Sequence, residues 1–328
     1  MRIDNLESMP WKAKNIRYIK LGSGGKYWSY CREKNILILG FDSGRPQVRK
    51  LMEKEDWDGV EEYWKDKCKT AKAHTNAMRQ FQEDDGATLW VTFADGRLQY
   101  AFTSGNVQNF RLNEKPDFNE DTTRLSYRRL WPKGWVSVDK NEEALSKMRL
   151  STALTKTEGF RGTICKFSLE MESYLRLKLK GERSPDVTAT IKARHDLSLR
   201  LSDLIKHLNW WDFELLIDLI FSNSGWIKTS SVGGVQKYLD LEVFNKISDL
   251  KACIQIKTAT NESQFKEYTR ARLDEAQDYD YIYYIYHTSD RNLTKIKCDK
   301  KIITWDLRRV SEEAIKAGLI DWVIDKRS

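Results

Sequence analysis

Apolar and β-branched residues from Ile16 to Ile19 and from Asn35 to Phe41 predict two strands joined through the Gly22-Ser23-Gly24-Gly25 turn and the aromatic run Tyr27-Trp28-Ser29-Tyr30. Val48 to Phe81 is rich in Lys, Glu, Ala and Met with apolar or aromatic residues at helical spacing, which predicts two or more helices. Strand pattern resumes over Ala87 to Phe93. Asp95-Gly96 predicts a hairpin turn, and Arg97 to Phe102 returns. Tyr127 to Val138 carries two further tryptophans around a Pro132-Lys133-Gly134 turn.

Residues 166–208 read as a charged, helical linker interrupted at Ser184-Pro185-Asp186, with Leu197, Leu201, Leu204, Ile205 and Leu208 lining one side of a helix. The pattern changes at Asn209. Phe213 to Phe221 predicts a buried helix that Asp212 caps and Gly225 closes, with Glu214 and Asp218 on one face. Trp226-Ile227 is strand-like. Tyr238 to Phe244 alternates apolar and polar residues, so Asp240 and Glu242 share one face while Leu239, Leu241 and Val243 enter the core. In Ala252 to Thr258, Ile254 and Ile256 share the buried face and Gln255 and Lys257 the other. The expected organisation is a first domain over 1–165, the linker over 166–208 and a second domain over 209–328.

The 328 residues suffice for about two domains. The longest apolar stretches, near 35–41 and 215–221, fall short of the roughly 18 to 20 residues of a membrane span. Met1 to Pro10 has no apolar core of a signal peptide, so no membrane association and a cytoplasmic location are expected. Lys and Arg outnumber Asp and Glu by 56 to 48, a net charge of +8, and accompany 12 Trp, 14 Tyr and 12 Phe. Basic charge attracts phosphate and aromatic rings stack on bases, a pairing that points towards nucleic acid.

Several chemistries are excluded by spacing. The nearest of the five cysteines, Cys31 and Cys68, are 37 residues apart, so zinc ribbons, CxxC redox motifs and a disulfide framework lack support. The four histidines form no HExxH. A Walker loop ending at Gly25-Lys26 would need Gly at Lys20 and Ser or Thr at Tyr27, and a dinucleotide fingerprint from Gly22 fails at the same Tyr27. No serine lies in GxSxG.

What remains is a convergence of polar residues in the second half: Glu214 from a helix, Asp240 from one strand, Gln255 and Lys257 from the next. Phosphodiester hydrolysis needs such a set. A hard cation such as Mg2+, or Mn2+ in its place, is held by carboxylate and carbonyl oxygens and neutralises charge developing on the phosphate. Asp240 offers the anion and Gln255 a neutral oxygen, with the Ile256 backbone carbonyl beside them. Lys257 offers a cation to orient water and stabilise the transition state. Glu242 is expected as a surface or salt-bridging acid, with assistance to metal binding as its alternative, and His287 as a structural or exposed residue rather than a ligand.

Phe213-Glu214 in a helix, Gly233-Gly234, Asp240 and then Gln255-Ile256-Lys257 fifteen residues on resemble the Mrr-type branch of the restriction-endonuclease-like PD-(D/E)xK superfamily, in which QxK replaces the acidic motif. The family's Gly-Asp-Gly-Gly-x-Asp stretch is only partly kept, since Gly233 and Gly234 stand further from Asp240 and no acid precedes them. The resemblance spans Asn209 to Trp305. It implies an αβββαβ core with a central mixed sheet and a magnesium-dependent endonuclease acting on double-stranded DNA, with Asp240, Gln255, Lys257 and Glu214 as its site. Cutting both strands implies a homodimer or higher oligomer.

More faintly, the first half is similar to EVE and other PUA-superfamily domains: the Tyr27-Trp28 pair, Gly40-Phe41, and Arg79-Gln80-Phe81 before Asp84-Asp85-Gly86 and Leu89-Trp90-Val91. That resemblance implies a β-barrel with helices that reads a modified base in an aromatic pocket. Trp28 and Trp90 are its candidate walls, with Tyr27, Tyr30 and Phe102 beside them, and Lys12, Lys14, Arg17, Arg128 and Arg129 are candidate phosphate contacts. The combined expectation is an α+β chain acting as a modification-dependent, type IV-like restriction enzyme. A defence nuclease triggered by a nucleotide signal, RNA or a partner, and a non-catalytic nucleic-acid-binding protein, are the alternatives.

Overall fold

The computed structural model describes residues 9–110, 118, 121–229, 240–275 and 279–328, and the chain divides into two compact units, Met1–Ser184 and Pro185–Ser328. The fold is α+β. No helix among the described residues is long and apolar enough to cross a membrane.

The first unit carries strands β1 (Asn15–Ile19), β2 (Ile36–Leu39), β3 (Thr88–Ala94), β4 (Arg97–Ala101), β5 (Thr103–Asn109), β6 (Ser126–Leu130) and β7 (Ile164–Lys166). Its helices are α1 (Trp28–Lys34), α2 (Pro46–Glu53), α3 (Trp57–Lys65), α4 (Ala71–Gln82), α5 (Thr152–Thr155) and α6 (Leu169–Leu179). The strands form two sheets, ordered β4-β3-β1-β7 and β2-β6-β5. Neither closes, so the barrel expected from the sequence is replaced by two open sheets.

The two early strands are not partners. β1 pairs in parallel with β3 and antiparallel with β7, whereas β2 pairs with β6. The aromatic run between them is the start of α1, because Trp28 and Cys31 recur at helical spacing and both are buried. The hairpin at Asp95-Gly96 follows its turn chemistry, with both residues at positive φ, 51° and 68°. Strand β3 is buried on both faces: Leu89, Val91 and Phe93 pack with Leu175 and Leu179 of α6, while Trp90 packs with Phe81 of α4. That is the signature of a strand inside a covered, partly parallel sheet.

The segment 166–208 contains two helices that belong to different units: α6 in the first and α7 (Pro185–Ile205) in the second, where Leu201 and Ile205 join the core. α8 (Trp210–Asn223) follows, then β8 (Ile227–Lys228), β9 (Leu241–Asn245), β10 (Leu250–Thr260), α9 (Glu262–Glu275), β11 (Tyr281–Ser289), β12 (Ile302–Trp305), α10 (Leu307–Lys316) and α11 (Ile320–Arg327). These five strands form one mixed sheet in order β12-β11-β10-β9-β8, antiparallel from β8 to β10 and parallel from β10 to β12.

Asn209, rather than Asp212, caps α8: its side chain accepts the Asp212 N–H at 3.0 Å, and Asp212 pairs instead with Lys326. Gly225, at φ +85°, follows the helix end. Phe213, Leu216, Ile217, Ile220 and Phe221 turn the other way into the core, each contributing about 1.5 to 3 kcal/mol of apolar burial. Ile254 and Ile256 of β10 enter this core, while Cys253 enters a second one with Phe265 and Tyr268 of α9. β10 is therefore a central strand covered on both faces.

Candidate functional site

The spacing of Asp240 and Gln255 is converted into contact by a hairpin. β9 and β10 pair with Asn245 opposite Leu250 and Leu241 opposite Ile254. The side chain of Asn245 accepts the N–H groups of Ile247 and Ser248, and Asp249 takes positive φ to close the four-residue turn. One step beyond Leu241, the same register sets Asp240 against Gln255. The Asp240 N–H donates to the Ile254 carbonyl at 3.1 Å, extending the ladder to the aspartate itself.

Asp240 Oδ2 accepts two hydrogen bonds, from Gln255 Nε2 and from the Ile256 N–H at 2.5 Å. A strand residue turns its N–H and C=O towards the same neighbour, so the Ile256 carbonyl lies on this edge too. Asp240 as a residue is exposed, but its Oδ2 is turned in against β10, and enclosure of the carboxyl raises its pKa above the ordinary aspartate value despite the Ile256 N–H, the Lys257 charge and the Gln255 amide.

Gln255 is only 2% exposed, and its Oε1 has no hydrogen-bond partner among the described residues. A buried polar atom left so costs about 1 to 3 kcal/mol, and most native interiors avoid it. The Gln255 amide and the Asp240 carboxylate thus form a polar pair with one oxygen unspent.

Glu214, half-buried on α8, completes the cluster. Burial raises its pKa first and the Asp240 charge raises it further, against the lowering by Lys257 and Lys228. Glu214, Asp240 and Lys257 therefore lie within one another's electrostatic reach. Lys257 is exposed and stands opposite Tyr286 on β11. Tyr284, opposite Gln255, bonds Thr260 at 2.6 Å; burial raises its pKa, the Thr260 bond lowers it and the Asp240 charge raises it. Asp218 pairs with Lys228 at 3.6 Å, while Glu242 is half-buried. Gly233, Gly234, Tyr238 and Leu239 lie outside the described residues.

Among the described residues no group of three or more His, Cys, Asp or Glu gathers. The cluster instead mixes two acids, an amide and a lysine. No protein-family model, curated protein or solved structure matches the chain.

The five aromatics considered as a base pocket differ in exposure and surroundings among the described residues. Trp90 is fully enclosed, its indole N–H donating to Asp84 at 2.8 Å, so it has no open face to offer. Tyr27 and Trp28 are also core residues, at 4% and 8% exposure, with Trp28 donating to Asp95 and set edge-on to Trp135. Tyr30 packs on the same core, against Phe110 and Phe118. Phe102 opens onto a cleft of about 300 Å³, with Trp11, Tyr100, Trp131, Lys133 and Lys140.

Arg128 is also not a phosphate contact: it is buried and donates to the carbonyls of Phe81, Asp84 and Gly105. Arg17 donates to Gln80 and Lys14 pairs with Asp85, while Lys12 and Arg129 are exposed.

Two features near the cluster escape a reading by motif. Lys228, on β8 directly after α8, lies within electrostatic reach of Glu214. Trp210 and Trp211 are exposed at the first turn of α8, where their position ahead of the buried stripe from Phe213 was the available signal.

Proposed function

We propose that the chain is a metal-dependent endonuclease of double-stranded DNA, with the second unit carrying the hydrolytic site and the first unit selecting modified DNA. The observation that carries this reading is the unspent, buried Oε1 of Gln255 beside the Asp240 carboxylate, with Glu214 and Lys257 close by. The element order α8-β8-β9-β10-α9-β11 repeats the αβββαβ order that the Mrr-type resemblance implies.

The donor set fits a hard cation, Mg2+ or Mn2+. Asp240 offers a carboxylate, Gln255 an amide oxygen and Ile256 a carbonyl on the same edge, all oxygen donors. When bound, the cation supplies charge neutralisation on the phosphate and lowers the pKa of an associated water. The raised pKa values of Glu214 and Asp240 mark carboxylates whose negative charge lacks full compensation from the protein. Lys257 holds the attacking water and stabilises the extra charge of the transition state. Water oxygen bonds to phosphorus, the P–O bond to the leaving sugar oxygen breaks, and that oxygen takes up a proton.

Selection by the first unit rests on the cleft lined by Phe102, Trp11 and Trp131, whose volume falls at the lower end of small-molecule sites. Two sites acting on two strands imply assembly of two or more copies on DNA.

Digestion of unmodified, methylated and hydroxymethylated DNA in magnesium tests the reading. The expected result is cleavage of a modified substrate that Asp240→Ala and Lys257→Ala each abolish while the fold is kept. Magnesium-dependent cleavage retained by both variants overturns the site; equal cutting of all DNAs removes the base-selecting role of the first unit.

A further inference from the structure

The start of α8 exposes two large aromatic side chains next to the candidate site. Trp210 is 47% and Trp211 66% exposed, and their rings stack on one another at 3.7 Å with 28° between planes. Each ring therefore turns one face to the other while both residues stay substantially exposed. Leu215, one turn on, is 43% exposed and extends the patch. Scattered exposed apolar residues are ordinary, but two adjacent indoles with a neighbouring leucine form a contiguous surface that calls for an occupant.

Helix geometry fixes where this surface lies. Trp210 and Trp211 precede Glu214 by four and three residues, so they stand on its side of the helix one turn earlier. At 1.5 Å per residue the separation along the axis is about 5 to 6 Å, which is about one to two nucleotide steps of a DNA strand at 3.4 Å each. A phosphate held between Glu214, Asp240 and Lys257 would leave the adjoining nucleotides over the indole pair.

The charges around the patch suit a polyanion. Lys206 and His207, both exposed, stand within four residues before it, and the charges of Lys228 and Lys257 reach Glu214. Trp211 also lies beyond the hydrophobic stripe that α8 needs for folding, since Phe213, Leu216, Ile217 and Ile220 already fill the core.

We propose that Trp210 and Trp211 are a nucleic-acid contact of the second unit: the exposed indole pair stacks on a base or sugar one to two nucleotides from the scissile phosphate and positions the strand for cleavage. The role rests on the nuclease reading for its purpose, although the contact itself is a binding claim. Both residues are positioning residues, not catalytic ones.

The test is fluorescence anisotropy of a labelled DNA duplex with the full chain in EDTA, so that binding is read without cleavage, for wild type, Trp211→Ala, Trp210→Ala/Trp211→Ala and Trp211→Phe. Stacking on one base predicts a loss of affinity of at least about fivefold for the double variant, with Trp211→Phe retaining most of the binding because it keeps a ring. Thermal melting checks that the variants are folded, and sedimentation equilibrium reports their assembly. Wild-type affinity in the double variant overturns the proposal. So does a dimer of the wild type that the double variant converts to monomer with DNA affinity unchanged, which would assign the patch to a second copy. Weakened binding by the Trp variants of a chain that never cleaves DNA would retain the contact and remove the nuclease reading, whereas normal cleavage and binding by the double variant would do the reverse.

Discussion

Each unit holds a polar cluster built around one aspartate, buried in the first unit and partly open in the second, and the two clusters are finished differently. In the first unit Asp84 accepts from the Trp90 indole at 2.8 Å, from the Thr103 hydroxyl and from the Gly86 N–H at 3.1 Å, with the buried Arg128 guanidinium 3.9 Å away. Arg128 in turn spends its N–H groups on four backbone carbonyls and Thr103. In the second unit Asp240 accepts from Gln255 and Ile256, sits with a second acid, and leaves Gln255 Oε1 without a partner among the described residues. A completed network specifies a fold; an incomplete one, held in place by a central strand, is where a ligand can supply the missing partner.

The largest expected contrast is in stability. Asp84→Ala strips the buried Arg128 of its counter-charge and should cost about 3 to 5 kcal/mol in denaturant unfolding. A loss below about 1 kcal/mol would show that Asp84 is not the centre of its cluster. Gln255→Leu removes an unsatisfied amide oxygen together with the hydrogen bond from Gln255 Nε2 to Asp240, so the two effects offset and stability should change by no more than about 1.5 kcal/mol while cleavage is lost. Clear destabilisation by that change would make Gln255 a structural residue like Asp84.

Acid should separate the units in opposite senses. Burial disfavours the Asp42 carboxylate of the first unit, but hydrogen bonds from Arg124 and Tyr63 and the charges of Arg124 and Arg45 outweigh it and hold its pKa below the ordinary value. A depressed folded pKa contributes stability above the unfolded pKa and loses it as pH falls through the folded one. Glu214 and Asp240 have raised folded values, so their contribution is full below the unfolded pKa and lost as pH rises through the folded pKa. Melting temperatures against pH for Asp42→Asn and Asp240→Asn should therefore differ from wild type with opposite slopes. Parallel slopes would contradict the contrast.

Smallest is Lys228→Ala. Its pair with Asp218 is 3.6 Å long and partly exposed, so the stability change should stay under about 1 kcal/mol. The pH midpoint of any Glu214-dependent activity should nonetheless rise, because a positive charge that lowers its pKa is gone.

Much of this was legible in the chain. The Asp95-Gly96 hairpin, α8 and the alternation of Ile254 and Ile256 followed from local rules, and Gln255 with Asp240 followed from a motif whose spacing suits a hairpin. What stayed hidden was non-local. Nothing in Ile16 to Ile19 says that its partner is Thr88 to Ala94 rather than Ile36 to Leu39, because strand pairing is decided by the whole packing. Trp90, by the resemblance, and Arg128, by its charge, read as ligand contacts, yet burial turned both into core groups. Exposure, which separates Trp211 from Trp90, is a property of the fold and not of the residue.

Calorimetric titration of Mn2+ into the full chain, compared with Asp240→Ala and Gln255→Leu, tests the central claim most directly. The account predicts a binding event in the wild type that Asp240→Ala abolishes and Gln255→Leu weakens at least tenfold, about 1.4 kcal/mol. Equal binding by all three proteins, or none by the wild type, would contradict it.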